Sequence, residues 1–173
     1  MHREFTMQLT RSVVALTATC TIAALVSSPT AHGKTVYSVP FDYKKFPPSS
    51  SYFQGKSLEE IDRLCKTGDG ASTDDAAACE QRNFERSNSR LNATYAKILS
   101  SIRASDKESA ADDDPLAAPD FVGAQENWSR YRERYCYAYV YALGEASGRY
   151  IYFWNCMKDI TQDRIKQLEK FSE

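Results

Sequence analysis

Four cysteines and an absent histidine constrain this chain most. Beyond residue 33 it carries Cys65, Cys79, Cys136 and Cys156, at spacings of 14, 57 and 20, and no histidine at all. An even set of widely spaced cysteines reads as a disulfide framework, provided the chain reaches an oxidising compartment. Zinc would ask for close pairs such as Cys-x-x-Cys, usually with histidine. No metal site and no cofactor are therefore expected.

The first 33 residues supply the route out. Arg3 and Arg11 give a positive start, "VVALTATCTIAALV" follows from Val13 to Val26, and Ala31 and Gly33 offer small residues before a cut. That is the three-part pattern of a secretory signal peptide, residues 1–33. The apolar run is shorter than the ~20 residues that span a bilayer as a helix. No stable membrane insertion is expected after cleavage, and the chain reads as periplasmic or secreted. Both histidines, His2 and His32, leave with the segment. With Arg3, Glu4 and Arg11 gone, the remainder holds 20 basic and 22 acidic side chains.

Residues 34–56, "KTVYSVPFDYKKFPPSSSYFQGK", show no sustained helical period. Pro47-Pro48 favours an extended chain. This is read as an irregular arm or linker whose aromatics (Phe41, Tyr43, Phe46, Tyr52 and Phe53) are free to dock on the domain.

Helical signals begin at Ser57, where "SLEE" places Glu60 three residues on, a capping box. Leu58, Ile61 and Leu64 carry this helix to Cys65, and "TGDGAS" ends it. A second helix starts near "STDDAAAC", with Asp74 and Asp75 at its positive end. Phe84, Leu91, Tyr95, Ile98 and Ile102 give it one apolar face. "SDKESAADDDPLAAPD" is read as a loop.

The third segment, from about Pro119 to Gly144, holds "WSRYRERYCYAYVYA". Tyr135, Tyr137, Tyr139 and Tyr141 alternate as in a strand. Phe121, Ala124, Trp128, Tyr131, Tyr135, Ala138 and Ala142 recur at helical steps over the whole segment, and helix is the reading adopted. Trp128, Tyr131, Arg132 and Cys136 are assigned its inward side. A semi-buried Arg132 needs a partner, for which a carboxylate or helix-end carbonyls would serve. "GEASG" turns the chain into a fourth helix, Arg149 to Phe171, with Phe153, Cys156, Ile160 and Arg164 on one line and Tyr150, Trp154, Met157, Thr161, Ile165 and Leu168 on the next.

This layout pairs the cysteines. Cys136 lies eight residues before Gly144 and Cys156 eight after Gly148, so both sit about 12 Å from the turn of a helical hairpin. The same reasoning joins Cys65 to Cys79. The expected fold is all-α: a small antiparallel bundle of about four helices, residues 57–173, stapled by Cys65–Cys79 and Cys136–Cys156.

Several chemistries are excluded. Without histidine no Ser-His-Asp or Cys-His arrangement can form, and no P-loop, G-x-G-x-x-G or H-E-x-x-H occurs. No carboxylate pair is marked out for glycoside hydrolysis. "RYRER" among tyrosines has the composition of a single-strand nucleic-acid site. The chain is slightly acidic and Glu126, Glu133 and Glu145 interrupt the basic side, so no nucleic-acid partner is expected. The chain is read as a binding protein and not an enzyme. Asp112, Asp113 and Asp114 would steer a cationic protein partner. Tyr137 and Tyr141, off the inward line, are candidates for an exposed contact surface.

Three stretches together resemble a known family: "LNATY" at Leu91–Tyr95, "QENWSRYRERYC" at Gln125–Cys136, and "CMKDITQDRIKQL" at Cys156–Leu168. They are similar to the N-terminal domain family of the lysozyme inhibitor LprI, over about Cys65 to Leu168. The resemblance implies a small exported helical domain with disulfides and, by the family's name, inhibition of lysozyme or a related wall hydrolase. The alternative is an envelope scaffold or immunity-type protein with another partner. The matched residues also have a physical role. Trp128, Tyr131 and Tyr95 offer large packing surfaces, and Asn92, Gln125, Arg132, Thr161 and Arg164 are expected to form a polar network between helices.

Overall fold

A computed structural model describes residues 34, 36–69, 71–144 and 147–171. The expected signal segment, 1–33, lies outside the described residues. The described residues form an all-helical protein with two disulfides, as the periodicity and cysteine spacing require. A one-turn helix α1 (Ser49–Tyr52) is followed by α2 (Leu58–Thr67), α3 (Thr73–Ala111), α4 (Ala118–Leu143) and α5 (Arg149–Phe171).

Local signals set most of the ends. The Ser57 hydroxyl accepts from the Glu60 amide while the Glu60 carboxylate accepts from the Ser57 amide, which closes the expected box on α2. Ser72 and Asp75 repeat the arrangement on α3. Gly68 ends α2 at φ +68° and Gly144 ends α4 at φ +65°, a left-handed conformation that glycine enters without steric cost. Cys65–Cys79 joins α2 to α3, with Cα atoms 5.3 Å apart, and Cys136–Cys156 joins α4 to α5 at 5.7 Å.

α3 is longer than expected. Residues 105–111 continue it, although their Ser, Asp, Lys and Glu content reads as loop. Lys, Glu and Ala are good helix formers, and nothing before Asp112 stops the helix. Asp106, inside this extension, accepts from the amides of Ala117 and Ala118 at 2.9 Å each. Those amides open α4, so α3 caps its successor with a carboxylate. The helix then ends in the acidic turn: Asp113 takes φ +57°, the Asp114 amide returns to the Ser109 carbonyl, and Pro115 follows.

The bundle runs up, down, up. Bonds from α3 to α5 pair Glu80 with Lys158, Ser87 with Gln162 and Arg90 with Glu169, rising together along both helices. α3 and α5 are therefore parallel, and α4 runs antiparallel to them. One apolar cluster lies near the α4–α5 turn and contains Phe84, Cys136, Val140, Phe153, Trp154 and Met157. A second, at the far end, contains Leu91, Ile98, Phe121, Ile165 and Leu168, with Tyr95 and Trp128 against it.

The inward side of α4 differs from the sequence reading. Phe121, Arg132, Cys136 and Val140 are buried, whereas Ala124, Tyr131, Tyr135, Ala138 and Ala142 are exposed. The series Phe121–Ala142 touches the buried face only at Phe121 and Trp128, and every member after Trp128 is exposed. The row that ends at Cys136 and Val140 prevails because the disulfide turns that side toward α5.

Candidate functional site

The motif residues converge on a polar seam between helices. Arg132 is 6 % exposed, and its Nη1 donates to Asn88 Oδ1 at 3.0 Å and to Thr161 Oγ1 at 2.8 Å. Thr161 donates in turn to the Met157 carbonyl at 2.6 Å. The guanidinium stacks on Phe84 at 5.2 Å and Trp128 at 4.9 Å from the ring centroids. Burial pulls the Arg132 pKa down, against an opposing pull from Tyr43 and Glu133. The direct side-chain partners are neutral: the Asn88 amide, the hydroxyls of Thr161 and Tyr43, and two rings. A carboxylate, as sequence reasoning asked for, enters at one remove, since Glu133 is held by the Tyr43 hydroxyl. Ring faces favour a cation without the desolvation of a second ion.

Arg164 makes a second arrangement. Its Nε donates to Gln125 Oε1 at 3.0 Å, and its guanidinium lies 5.8 Å from the Trp128 ring. Trp128 therefore links the two arginines. Tyr95 stacks on Phe121 at 5.2 Å. Asn92 does not enter the seam: it is exposed, and Asn88, one turn earlier, contacts Arg132. Asn88 was missed because nothing local separates it from other polar residues of α3.

The arm is seated on the other cluster. Phe41 sits among Tyr137, Tyr150 and Phe153, at 5.3, 5.1 and 5.0 Å between centroids. The Tyr43 amide donates to the Tyr137 hydroxyl at 3.0 Å, and the Tyr43 hydroxyl donates to Glu133 at 2.7 Å. Burial first, then that carboxylate, pushes the Tyr43 phenol well above its ordinary value. The Phe41 amide donates to Tyr141 at 3.3 Å. Gln81 donates to the Pro47 carbonyl, and the Ser49 amide to Glu85. Tyr137 and Tyr141, the aromatic residues left over by the inward line, meet the arm. Tyr137 is half-buried there and Tyr141 keeps an exposed edge.

Arg149 fastens the start of the arm. It is buried at the first position of α5, where a helix dipole disfavours a cation. Its Nη1 donates to the Tyr37 carbonyl at 2.7 Å and the Val39 carbonyl at 3.2 Å, and its guanidinium carbon lies 4.9–5.2 Å from the ring centroids of Tyr37, Phe41 and Tyr150. Charged hydrogen bonds of this kind contribute about 1.5–3 kcal/mol. Arg149→Met is expected to raise amide exchange at 36–46 by about tenfold or more, with exchange in α3 and α5 unchanged. Equal protection in the variant would show that the rings alone hold the arm.

Asp112, Asp113 and Asp114 are exposed at the opposite end of α4. Nineteen residues of helix separate Ala118 from Tyr137, about 28 Å. The acids and the two tyrosines cannot form one small contact site. Among the described residues no group of His, Cys, Asp and Glu is arranged to hold a metal, and no helix is long and apolar enough to cross a membrane.

Fold and seam together define a disulfide-stapled helical domain in which one arm and one polar seam lock three long helices. The family model for "Lysozyme inhibitor LprI" matches residues 65–168, more than half of the chain. The chain belongs to that family. No curated protein and no solved structure matches it.

Proposed function

We propose that the chain is an exported protein that inhibits a lysozyme-type cell-wall hydrolase by occupying its substrate cleft. The carrying observation is the family match over residues 65–168, an inhibitor family by its description. Both disulfides fall inside that span and are consistent with an oxidising, extracytoplasmic compartment. The partner is a protein and the inhibitor supplies no chemistry of its own. The test is the chain exported from a bacterial host and assayed against c-type lysozyme on cell walls. Inhibition at micromolar concentration is expected, and full lysis in its presence would overturn the reading.

Asp112–Asp114 have a defined part in this reading. Wall hydrolases of this type are often cationic, and exposed acids raise the encounter rate more than they slow dissociation. Asp112→Asn, Asp113→Asn and Asp114→Asn together are expected to slow association several-fold at low salt. At ionic strengths where the Debye length falls to about 3 Å the difference should vanish. An unchanged association rate would remove the turn from the encounter.

A further inference from the structure

One face of α4 is neither in the seam nor under the arm. Tyr131, Tyr135 and Tyr139 follow one another at four-residue steps and are 54 %, 48 % and 42 % exposed. The first two rings touch, with centroids 5.6 Å apart. Each step rises about 6 Å, so the row extends about 12 Å along the helix while winding slowly around it. Pairing about Cys136–Cys156 sets Tyr152 of α5 across from Val140, beside the end of the row, and Tyr152 is exposed as well.

Several exposed tyrosines in line are unusual for the outer side of a bundle helix, where charged residues normally stand. The helix that carries them is clamped at Cys136, within the row, so its backbone is held before any partner arrives. Tyrosine provides large contact area at small entropic cost, and tyrosine and arginine are enriched in interface cores.

The charges choose the occupant. Arg134 is an exposed cation beside Tyr131 and Tyr135, and Arg130, one turn earlier and also exposed, adds a second that donates to Asn127. The one carboxylate in this stretch, Glu133, faces the arm and is engaged by Tyr43 and Lys44. The face therefore presents aromatic rings and a positive charge to its partner. A two-fold contact with a second copy through this row would bring like charges together. A glycosidase cleft offers the complement: two carboxylates about 5–10 Å apart between walls shaped for sugar rings.

We propose that Tyr131, Tyr135 and Tyr139, with Arg134 beside them, form the surface that enters the carboxylate-bearing cleft of the hydrolase. This rests on the inhibitor reading and names its contact face. The experiment measures inhibition of c-type lysozyme and binding to it, for the wild-type chain, for Tyr135→Ala/Tyr139→Ala and for Arg134→Glu. These side chains are exposed, so thermal midpoints should be unchanged. The tyrosine pair is expected to weaken binding about 30-fold or more and the charge reversal about tenfold. A chito-oligosaccharide that fills the cleft should compete with the wild-type chain. If the wild type inhibits and both variants inhibit equally well, the face is wrong and the inhibitor reading stands. A wild type without inhibition overturns that reading and this surface with it. A dimer in sedimentation that the tyrosine pair abolishes, or direct binding of the oligosaccharide to the chain alone, would reassign the row and overturn the proposal.

Discussion

Replacing Phe153 with alanine should destabilise the domain by about 3–5 kcal/mol, the largest single-residue effect expected in this chain. Phe153 is fully buried. Its ring lies 4.9 Å from that of Tyr137, 5.0 Å from Phe41, 5.3 Å from Trp154 and 5.5 Å from Tyr43. The alanine would leave a cavity that two long helices, joined at Cys136–Cys156, cannot collapse around. It would also remove the floor on which the arm rests. Urea unfolding should show a lower midpoint, and amide exchange at 41–46 should rise even where the bundle remains folded. A loss below about 1 kcal/mol would mean that the arm or the helices close the gap.

The second large effect concerns the staple beneath the tyrosine row. Cys136→Ser with Cys156→Ser should cost about 3 kcal/mol, since the bond closes a loop of 20 residues. Cys136 is fully buried in the cluster of Phe153 and Met157, so a serine hydroxyl there adds a desolvation cost. Cys65–Cys79 closes a shorter loop of 14 residues and ties only the short α2 to α3. Its removal should free α2 locally and leave α3–α5 cooperative. Calorimetry of the two double variants, with exchange at 58–67, checks this contrast. A larger drop in midpoint from the Cys65–Cys79 variant would show that α2 belongs to the cooperative core.

The two bonds were legible because each joins helices adjacent in sequence. Connection length and the 1.5 Å rise per residue leave little freedom for where such cysteines meet. The α5 face was legible for a similar reason: Trp154, Met157, Thr161, Ile165 and Leu168 lie on one line and all are buried. α4 was different. Its aromatics surround the helix, so two rows compete for the inside and periodicity cannot rank them. Tyr131, assigned inward, turned out exposed, while Arg132 next to it is buried and caged by rings.

Local chemistry alone decided that this chain is helical, where α2 starts, and which cysteines join. Those properties depend on caps, on residue spacing and on neighbours along the chain. Tertiary structure decided what each side of α4 does: Arg132 meets Asn88 and Thr161, Tyr137 and Tyr141 receive the arm, and Tyr131, Tyr135 and Tyr139 remain outside. The choice is made by contacts 29 to 100 residues apart in sequence, between groups whose local signals are the same.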